Sequence, residues 1–201
     1  MNTTLWLRVT TALCALTGLG ALVTHVLGLL PMAYFLTFFG VPSIILALAL
    51  AALARWINAR IFLTSLAVGV VGGLAATLAY DVFRLAVRET RLFDYDGFKA
   101  IYIFGGWITG APGTTRAALA GWGYHFWNGM SFGVFYSLTF GGRRWLYGVA
   151  YGLVMEAMML GLFPFFLRIT DQLGFIVISM CGHLVYGAAL GGITQRYARS
   201  W

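Results

Sequence analysis

The chain has 201 residues, of which 61% are apolar and only 9% are charged, and its formal net charge is +7. A soluble domain has roughly a quarter of its residues charged, so this composition excludes an ordinary soluble domain and predicts that lipid solvates much of the surface. The positive charge does not indicate nucleic-acid binding, because the 13 Lys and Arg residues are scattered between apolar runs. We therefore expect membrane lipid, and no nucleic acid, as a partner.

Apolar stretches of about 20 residues suit the ~30 Å hydrocarbon core of a bilayer. The sequence predicts an all-α fold, a polytopic transmembrane helical bundle that forms a single domain over residues 1–201. About six spanning helices are expected, near residues 5–29, 33–54, 61–84, 117–139, 145–167 and 173–195. Pro31 separates the first two helices, and the turn Gly141-Gly142-Arg143-Arg144 separates the fourth from the fifth. The first stretch is expected to be an uncleaved helix, because no small-residue cleavage site follows it.

The third and fourth helices are joined by a long loop over residues 85–116. Its apolar patch, 101–108, is too short to span a bilayer and is expected to be an interfacial or re-entrant segment over the bundle. Basic residues in short loops set the orientation of a membrane protein. One side carries Arg8, Arg55, Arg60, Arg143, Arg144, Arg196 and Arg199, whereas the other carries Arg168 and the mixed-charge long loop. This pattern predicts both termini in the cytoplasm and the long loop outside.

Several ionisable side chains fall within the predicted helices, where each costs about 2.5–3.5 kcal/mol to insert and therefore needs a reason to be there. Counted at about 1.5 Å per residue from the predicted outer helix ends, His125 and His183 lie roughly 12–15 Å deep. Glu156 lies deeper, while Asp81 and His25 lie nearer the outer surface. These residues are expected to share one zone in the outer half of the bundle.

On four predicted helices a polar residue shares a face with small residues at four-residue spacing. The four faces are Gly69, Gly73, Thr77 and Asp81; Gly121, His125, Gly129 and Gly133; Gly148, Gly152 and Glu156; and His183, Gly187 and Gly191. Small residues let helix backbones approach closely, so these faces should point into the bundle. We expect the helices to converge toward the cytoplasm and splay outward, with His125, Glu156 and His183 at the floor of an outward-facing pocket.

Two imidazoles and a carboxylate form a ligand set that suits a divalent transition metal such as Zn, Fe(II) or Mn. Asp81 or His25 can add a fourth ligand. The same side chains can instead relay protons, because His changes its protonation state near neutral pH. The sequence alone leaves these two alternatives open for His125, Glu156 and His183.

Other polar residues have supporting roles. Tyr124, Asn128, Tyr186 and His25 are candidate hydrogen-bond partners of the ligands. His25 is equally typical of a plain interhelical hydrogen bond. Asp81 and Arg84, three residues apart, are expected to form a structural ion pair. The methionines near Glu156 are compatible with copper but are also ordinary packing residues.

The chain has no Walker loop, dinucleotide fingerprint, H-E-x-x-H or G-x-S-x-G motif, so no nucleotide cofactor is expected. The leading hypothesis is a multi-pass membrane protein whose outward-facing His/Glu site binds a metal ion or relays protons. A transporter-like protein, a sensor and a small metalloenzyme all fit this description. The alternatives are a non-catalytic integral subunit that binds other membrane subunits, and a b-type haem protein with haem held between His125 and His183.

The second half of the chain resembles the YagU-type family of small bacterial inner-membrane proteins over roughly residues 120–190. The matching residues are His125, the run Ser131–Tyr136, Gly148, Gly152, Pro164 and the run Gly182-His183-Leu184-Val185. The resemblance implies a polytopic protein of the bacterial inner membrane, in a family associated with acid resistance and without a settled biochemical activity. It carries His125 and His183 over as family positions, whereas Glu156 has no counterpart in the family pattern.

Overall fold

The computed structural model describes residues 3–167 and 172–199, including their side chains except those of 163–167 and 172. Arg168, which contributed to the predicted orientation, lies outside the described residues. This part of the chain is all helical and contains no strand, which confirms the predicted fold class at the level of secondary structure. The helices are α1 (Thr3–Ala15), α2 (Thr17–Val26), α3 (Met32–Phe35), a π-helical turn (Leu36–Gly40), α4 (Val41–Trp56), α5 (Arg60–Thr90), α6 (Lys99–Thr109), α7 (Thr115–Phe140), α8 (Leu146–Leu167) and α9 (Gln172–Tyr197).

Four helical stretches are long and apolar enough to cross a membrane: Thr3–Val26, Met32–Trp56, Arg60–Thr90 and Leu173–Tyr197. A shorter apolar stretch, Leu146–Leu162, lies in α8. α7 has 26 residues, but its sequence is more polar than that of the four stretches. The helices are therefore compatible with a membrane protein. The described residues contain four candidate spans, whereas the sequence predicted about six.

The first two predicted spans each contain an interruption. The break between α1 and α2 lies at Leu16, next to a hydrogen bond of 2.8 Å from the Thr17 hydroxyl to the Cys14 carbonyl. The second span passes through the π-helical turn immediately before Pro42, which stands in the first turn of α4. Proline provides no backbone N–H, and a local π turn is a common way for a helix to adjust to that loss.

The predicted loop 85–116 is shorter than expected. α5 continues past residue 84 to Thr90, because residues 85–90 contain no helix breaker. The apolar patch within the loop is the helix α6, which has 11 residues and is therefore about 16 Å long, half the thickness of a bilayer core. α6 packs directly on α7, because Gly105 and Gly121 let the two backbones touch.

Two helix crossings organise the bundle, and both are built on the predicted small-residue faces. At the crossing of α5 and α7, a Cβ on Gly69 would lie 2.6 Å from the Cα of Val134, so the position has no room for a side chain. At the crossing of α8 and α9, Gly148 lies against the backbone of Gly187 and Gly191. These contacts confirm that the glycine faces point into the bundle, and they bring the ionisable residues of the same faces together in pairs.

Candidate functional site

The first pair joins α5 to α7 through Asp81 and His125. The Nε2 atom of His125 lies 3.0 Å from Oδ2 and 3.1 Å from Oδ1 of the Asp81 carboxylate. The Asp81 side chain is 9% exposed and the His125 side chain 17% exposed. Nε2 of His125 also lies 3.3 Å from Nη2 of Arg84, which can only donate, so this nitrogen contacts both an acceptor and a donor.

Arg84 completes this first group and fixes its charge. Its guanidinium donates to the Asp81 carboxylate and, over 2.6 Å, to the backbone carbonyl of Gly97. The guanidinium carbon also lies 4.3 Å from the centre of the Tyr80 ring and 4.5 Å from the centre of the Phe98 ring. Aromatic faces attract cations, so these rings hold Arg84 in place beside Asp81. The predicted ion pair between Asp81 and Arg84 therefore exists, with His125 as a third member.

The second pair joins α8 to α9 through Glu156 and His183. The Nδ1 atom of His183 lies 2.8 Å from Oε2 of Glu156, and the Ser179 hydroxyl donates to the same oxygen over 2.6 Å. Glu156 is 3% exposed and His183 6% exposed. The other carboxylate oxygen, Oε1, is buried and has no hydrogen-bond partner among the residues that the structure describes.

The neighbours of His183 determine which of its nitrogens carries the proton. Nδ1 of His183 contacts two acceptors, the Glu156 carboxylate and the Ser179 carbonyl at 2.9 Å, so in the neutral ring Nδ1 is protonated and Nε2 has a free lone pair. Nε2 of His125 contacts an acceptor in Asp81 and a donor in Arg84, so either tautomer of this ring can make one of the two hydrogen bonds. The neutral His183 ring thus donates to a carboxylate through one nitrogen and keeps the other as an acceptor.

The two pairs meet at one cavity of about 130 Å³ lined by residues of α2, α5, α6, α7, α8 and α9. Among the described residues, both imidazoles line this cavity, whereas the carboxylates of Asp81 and Glu156 do not. Each imidazole therefore stands between its carboxylate and the cavity. Most of the remaining wall is apolar or aromatic, including Phe104, Phe132 and Met155.

The predicted four-residue ligand set is divided in the structure. Asp81 contacts His125, and Glu156 contacts His183, instead of the four side chains converging on one point. Within residues 3–167 and 172–199, no three His, Cys, Asp or Glu side chains are grouped so that they could hold a metal ion. The observed arrangement is two carboxylate–imidazole pairs on one cavity.

The residues predicted to support the site have other contacts. The Tyr124 hydroxyl donates to the Gly18 carbonyl and the Tyr186 hydroxyl to the Gly129 carbonyl, each over 2.8 Å, so they tie helices together and do not contact the imidazoles. Asn128 lines the cavity, but its buried Oδ1 has no hydrogen-bond partner in the described structure. His25 accepts a hydrogen bond of 3.2 Å from the Met32 amide and packs on Trp107. It is a local cap where the chain turns from α2 to α3.

The sequence interpretation missed two residues that contact the pairs. Ser179 precedes His183 by one helical turn, and this spacing was a signal that its hydroxyl could reach the same partner. No spacing in the sequence marks Tyr80, because its contacts depend on how the helices pack together. Its ring lies 5.2 Å from the His183 ring and also against Arg84, so it stands between the two pairs.

Comparison with known proteins gives a family but no activity. Residues 63–200 match a family described as a family of unknown function, DUF6789. The matched part begins in α5 and contains both carboxylate–imidazole pairs, while α1 to α4 precede it. No curated protein and no solved structure matches the chain. Because the match covers well over half of its 201 residues, the chain belongs to the DUF6789 family.

Proposed function

We propose that the chain is a multi-pass membrane protein whose two carboxylate–imidazole pairs take up and release protons at the shared cavity, as in a transporter-like or sensor protein. The observation that carries this proposal is the placement of His125 and His183. Each lines the cavity and is backed by a buried carboxylate, at 3.0 Å for His125 and 2.8 Å for His183.

The chemistry follows from the free lone pair on Nε2 of neutral His183. A proton that arrives from the cavity can bind this nitrogen, and the carboxylate behind the ring stabilises the resulting imidazolium charge. The charged and titratable groups around the His183 pair are Tyr80, Asp81 and Arg84 from α5, Tyr95 from the α5–α6 connection, and His125 from α7. Because Arg84 already contacts Asp81, the His183 pair is the one whose carboxylate needs a proton for charge balance.

A metal is the less supported version of this site. Zinc and iron sites need three or four ligands converging on one point, and the observed contacts join the predicted ligands in twos. The haem alternative needs room for a porphyrin between His125 and His183, and the cavity that both residues line is about 130 Å³, close in size to one that holds benzene. Proton transfer needs only the contacts that the structure has.

The proposal includes the placement of the chain in the cell. We place it in the bacterial inner membrane with both termini in the cytoplasm, and we count α7 and α8 as spans in addition to the four apolar stretches, which makes six. The basic residues of the short loops support the orientation. The resemblance to YagU-type proteins supports the bacterial setting and stays a prediction.

Histidine protonation tests the proposal directly. The chain has only three His residues, so the protein labelled with ¹⁵N-histidine in nanodiscs gives few imidazole signals, which single His→Gln variants assign. We expect the His183 and His125 signals to change from neutral to protonated rings as the pH falls. Glu156→Gln should alter the His183 titration and leave His125 unchanged.

The exposed residue Glu89, at the end of α5, provides a matched control. Glu89→Gln makes the same chemical change far from the cavity and should leave both titrations as they are. The proposal fails if neither His125 nor His183 changes its protonation between pH 4 and pH 9, or if Glu89→Gln shifts His183 as much as Glu156→Gln does.

A second function is a non-catalytic subunit of a larger membrane complex. The observation that favours it is the loose attachment of the stretch Met32–Trp56, in which only 11% of an apolar 18-residue window is buried against the rest of the chain. Purification from native membranes in mild detergent distinguishes the two functions. A stoichiometric partner chain that contacts α4 in cross-linking would favour the subunit, whereas an isolated monomer with titrating imidazoles would favour the proton site.

A further inference from the structure

We infer that the cavity binds a small organic monocation, a primary ammonium ion with about six non-hydrogen atoms in all, five of them in an apolar body. This inference rests on the proposed function, because it uses the same two imidazoles. It adds the chemical class of the molecule that exchanges with the proton.

The charge of the buried groups favours a cation. Asp81 is neutralised by Arg84, with which it is in direct contact. In the described part of the chain, the only ion-pair partner of Glu156 is His183, which supplies a positive charge only when it is protonated. With both imidazoles neutral, the site therefore has one negative charge in excess. A buried charge needs a counter-charge, which either a proton or a bound cation provides.

The polar groups of the wall favour an ammonium over other cations. His125 and His183 line the cavity, and neutral His183 has a lone pair on Nε2 because its Nδ1 contacts only acceptors. A primary ammonium has three N–H donors and no acceptor, so it matches this acceptor nitrogen. A small carboxylate has the opposite character. It would meet a lone pair and add a second negative charge near Glu156.

The apolar part of the wall fits an organic body and a positive charge. Five aromatic rings line the cavity: Tyr80, Phe104, Tyr124, Phe132 and Tyr186. The faces of aromatic rings attract ammonium ions, and the three methionines of α8 add polarisable, adaptable surface. Arg84 also lines the cavity, but its charge is already matched by Asp81 and covered by the rings of Tyr80 and Phe98.

The size of the cavity limits the ligand. Its volume is about 130 Å³, slightly less than that of an engineered apolar cavity of about 150 Å³ that accepts benzene. A ring or chain of five carbons with one nitrogen fits this space. A bulky quaternary cation does not.

Calorimetry with three small probes tests the inference on the whole protein in nanodiscs. The probes are cyclopentylammonium, neutral cyclopentanol of the same ring size, and butyrate. We expect cyclopentylammonium to bind with one-to-one stoichiometry and to perturb the ¹⁵N signals of His125 and His183. Glu156→Gln should weaken its binding about tenfold or more, because a buried counter-charge is lost. Cyclopentanol binding should change less than threefold, and Glu89→Gln should change neither.

Each outcome bears on the inference. Preferred binding of butyrate, equal binding of cyclopentanol and cyclopentylammonium, or no binding at all overturns it. If Glu156→Gln does not fold, the histidine signals of the wild-type protein decide, since cyclopentylammonium must perturb His183 and butyrate must not. Histidines that titrate without any ammonium binding would refute this inference and leave the proposed proton site standing, whereas silent histidines would refute both.

Discussion

The crossing of α5 and α7 sets the distance between Asp81 and His125, and a single methyl group should disrupt it. Gly73 is two helical turns before Asp81 on the same face of α5, at the point where α5 touches α7. Gly73→Ala places a Cβ directly in that contact. Alanine is otherwise the best helix former, so an effect on stability must come from the crossing and not from the helix itself.

The structure gives the size of the effect. A Cβ on Gly73 would lie 2.5 Å from the Gly129 carbonyl oxygen and 2.9 Å from the Cα of Met130, whereas ordinary contact begins at 3.4 Å. The helices must therefore separate by 3.4 − 2.5, or about 0.9 Å. A similar displacement at Asp81 lengthens its 3.0 Å contact with His125 past the ~3.5 Å at which a direct hydrogen bond ends. Overpacking of this kind costs about 1–3 kcal/mol.

Two measurements check this prediction. Unfolding in mixed micelles should show the loss of stability, and the Nε2 signal of His125 should lose the shift that its carboxylate partner causes. Gly123→Ala is the matched control on α7, because a Cβ at Gly123 would meet no atom within 4 Å. Equal stability and equal His125 signals in Gly73→Ala and Gly123→Ala would refute the reasoning.

Three further predictions concern the groups around the cavity. Gly182→Ala places a Cβ inside the Tyr80 ring, so it should lower the free energy of unfolding by about 1–3 kcal/mol and shift the His183 signals; wild-type signals would contradict this. Ser179→Ala removes the 2.6 Å hydrogen bond to Glu156 and should destabilise the fold by about 1–3 kcal/mol. Unchanged unfolding together with an unchanged His183 titration would show that the hydroxyl is dispensable. Arg84→Lys keeps the charge but loses the planar group between two rings, so unfolding should again become easier by about 1–3 kcal/mol; a lysine variant as stable as the wild type would show that charge alone suffices.

The glycine faces could be predicted from the sequence because they depend on local geometry. A spacing of four residues places side chains on one face of any α-helix, whatever surrounds it. Small residues on such a face allow close approach, and Gly69, Gly148 and their neighbours make the backbone contacts that this rule predicts. The boundary at Pro31 was equally local and was correct, since α3 begins at the next residue.

The pairing of the ionisable residues could not be predicted, and the error has an identifiable source. The third predicted helix ended at residue 84, which placed Asp81 near the outer surface. Because α5 continues to Thr90, Asp81 lies 90 − 81 = 9 residues, or about 14 Å, from the end of its helix. His125 lies 125 − 115 = 10 residues, or about 15 Å, from the start of α7. The two residues thus lie at similar distances from these helix ends, and the packing of α5 on α7 brings them into contact.

The two pairs share one construction, which explains how a mostly apolar sequence can hold four ionisable groups in register. In each pair a glycine one turn from an ionisable residue packs against the partner helix close to the partner of that residue. Gly152, one turn before Glu156, lies against the backbone carbonyl of His183. Gly129, one turn after His125, lies against Thr77, which is one turn before Asp81. Because a backbone contact has little freedom to slide, the glycine fixes the height at which carboxylate and imidazole face each other. The distance between each carboxylate and its imidazole therefore depends on the helix crossings, and a change at either crossing should alter this distance together with the stability of the fold.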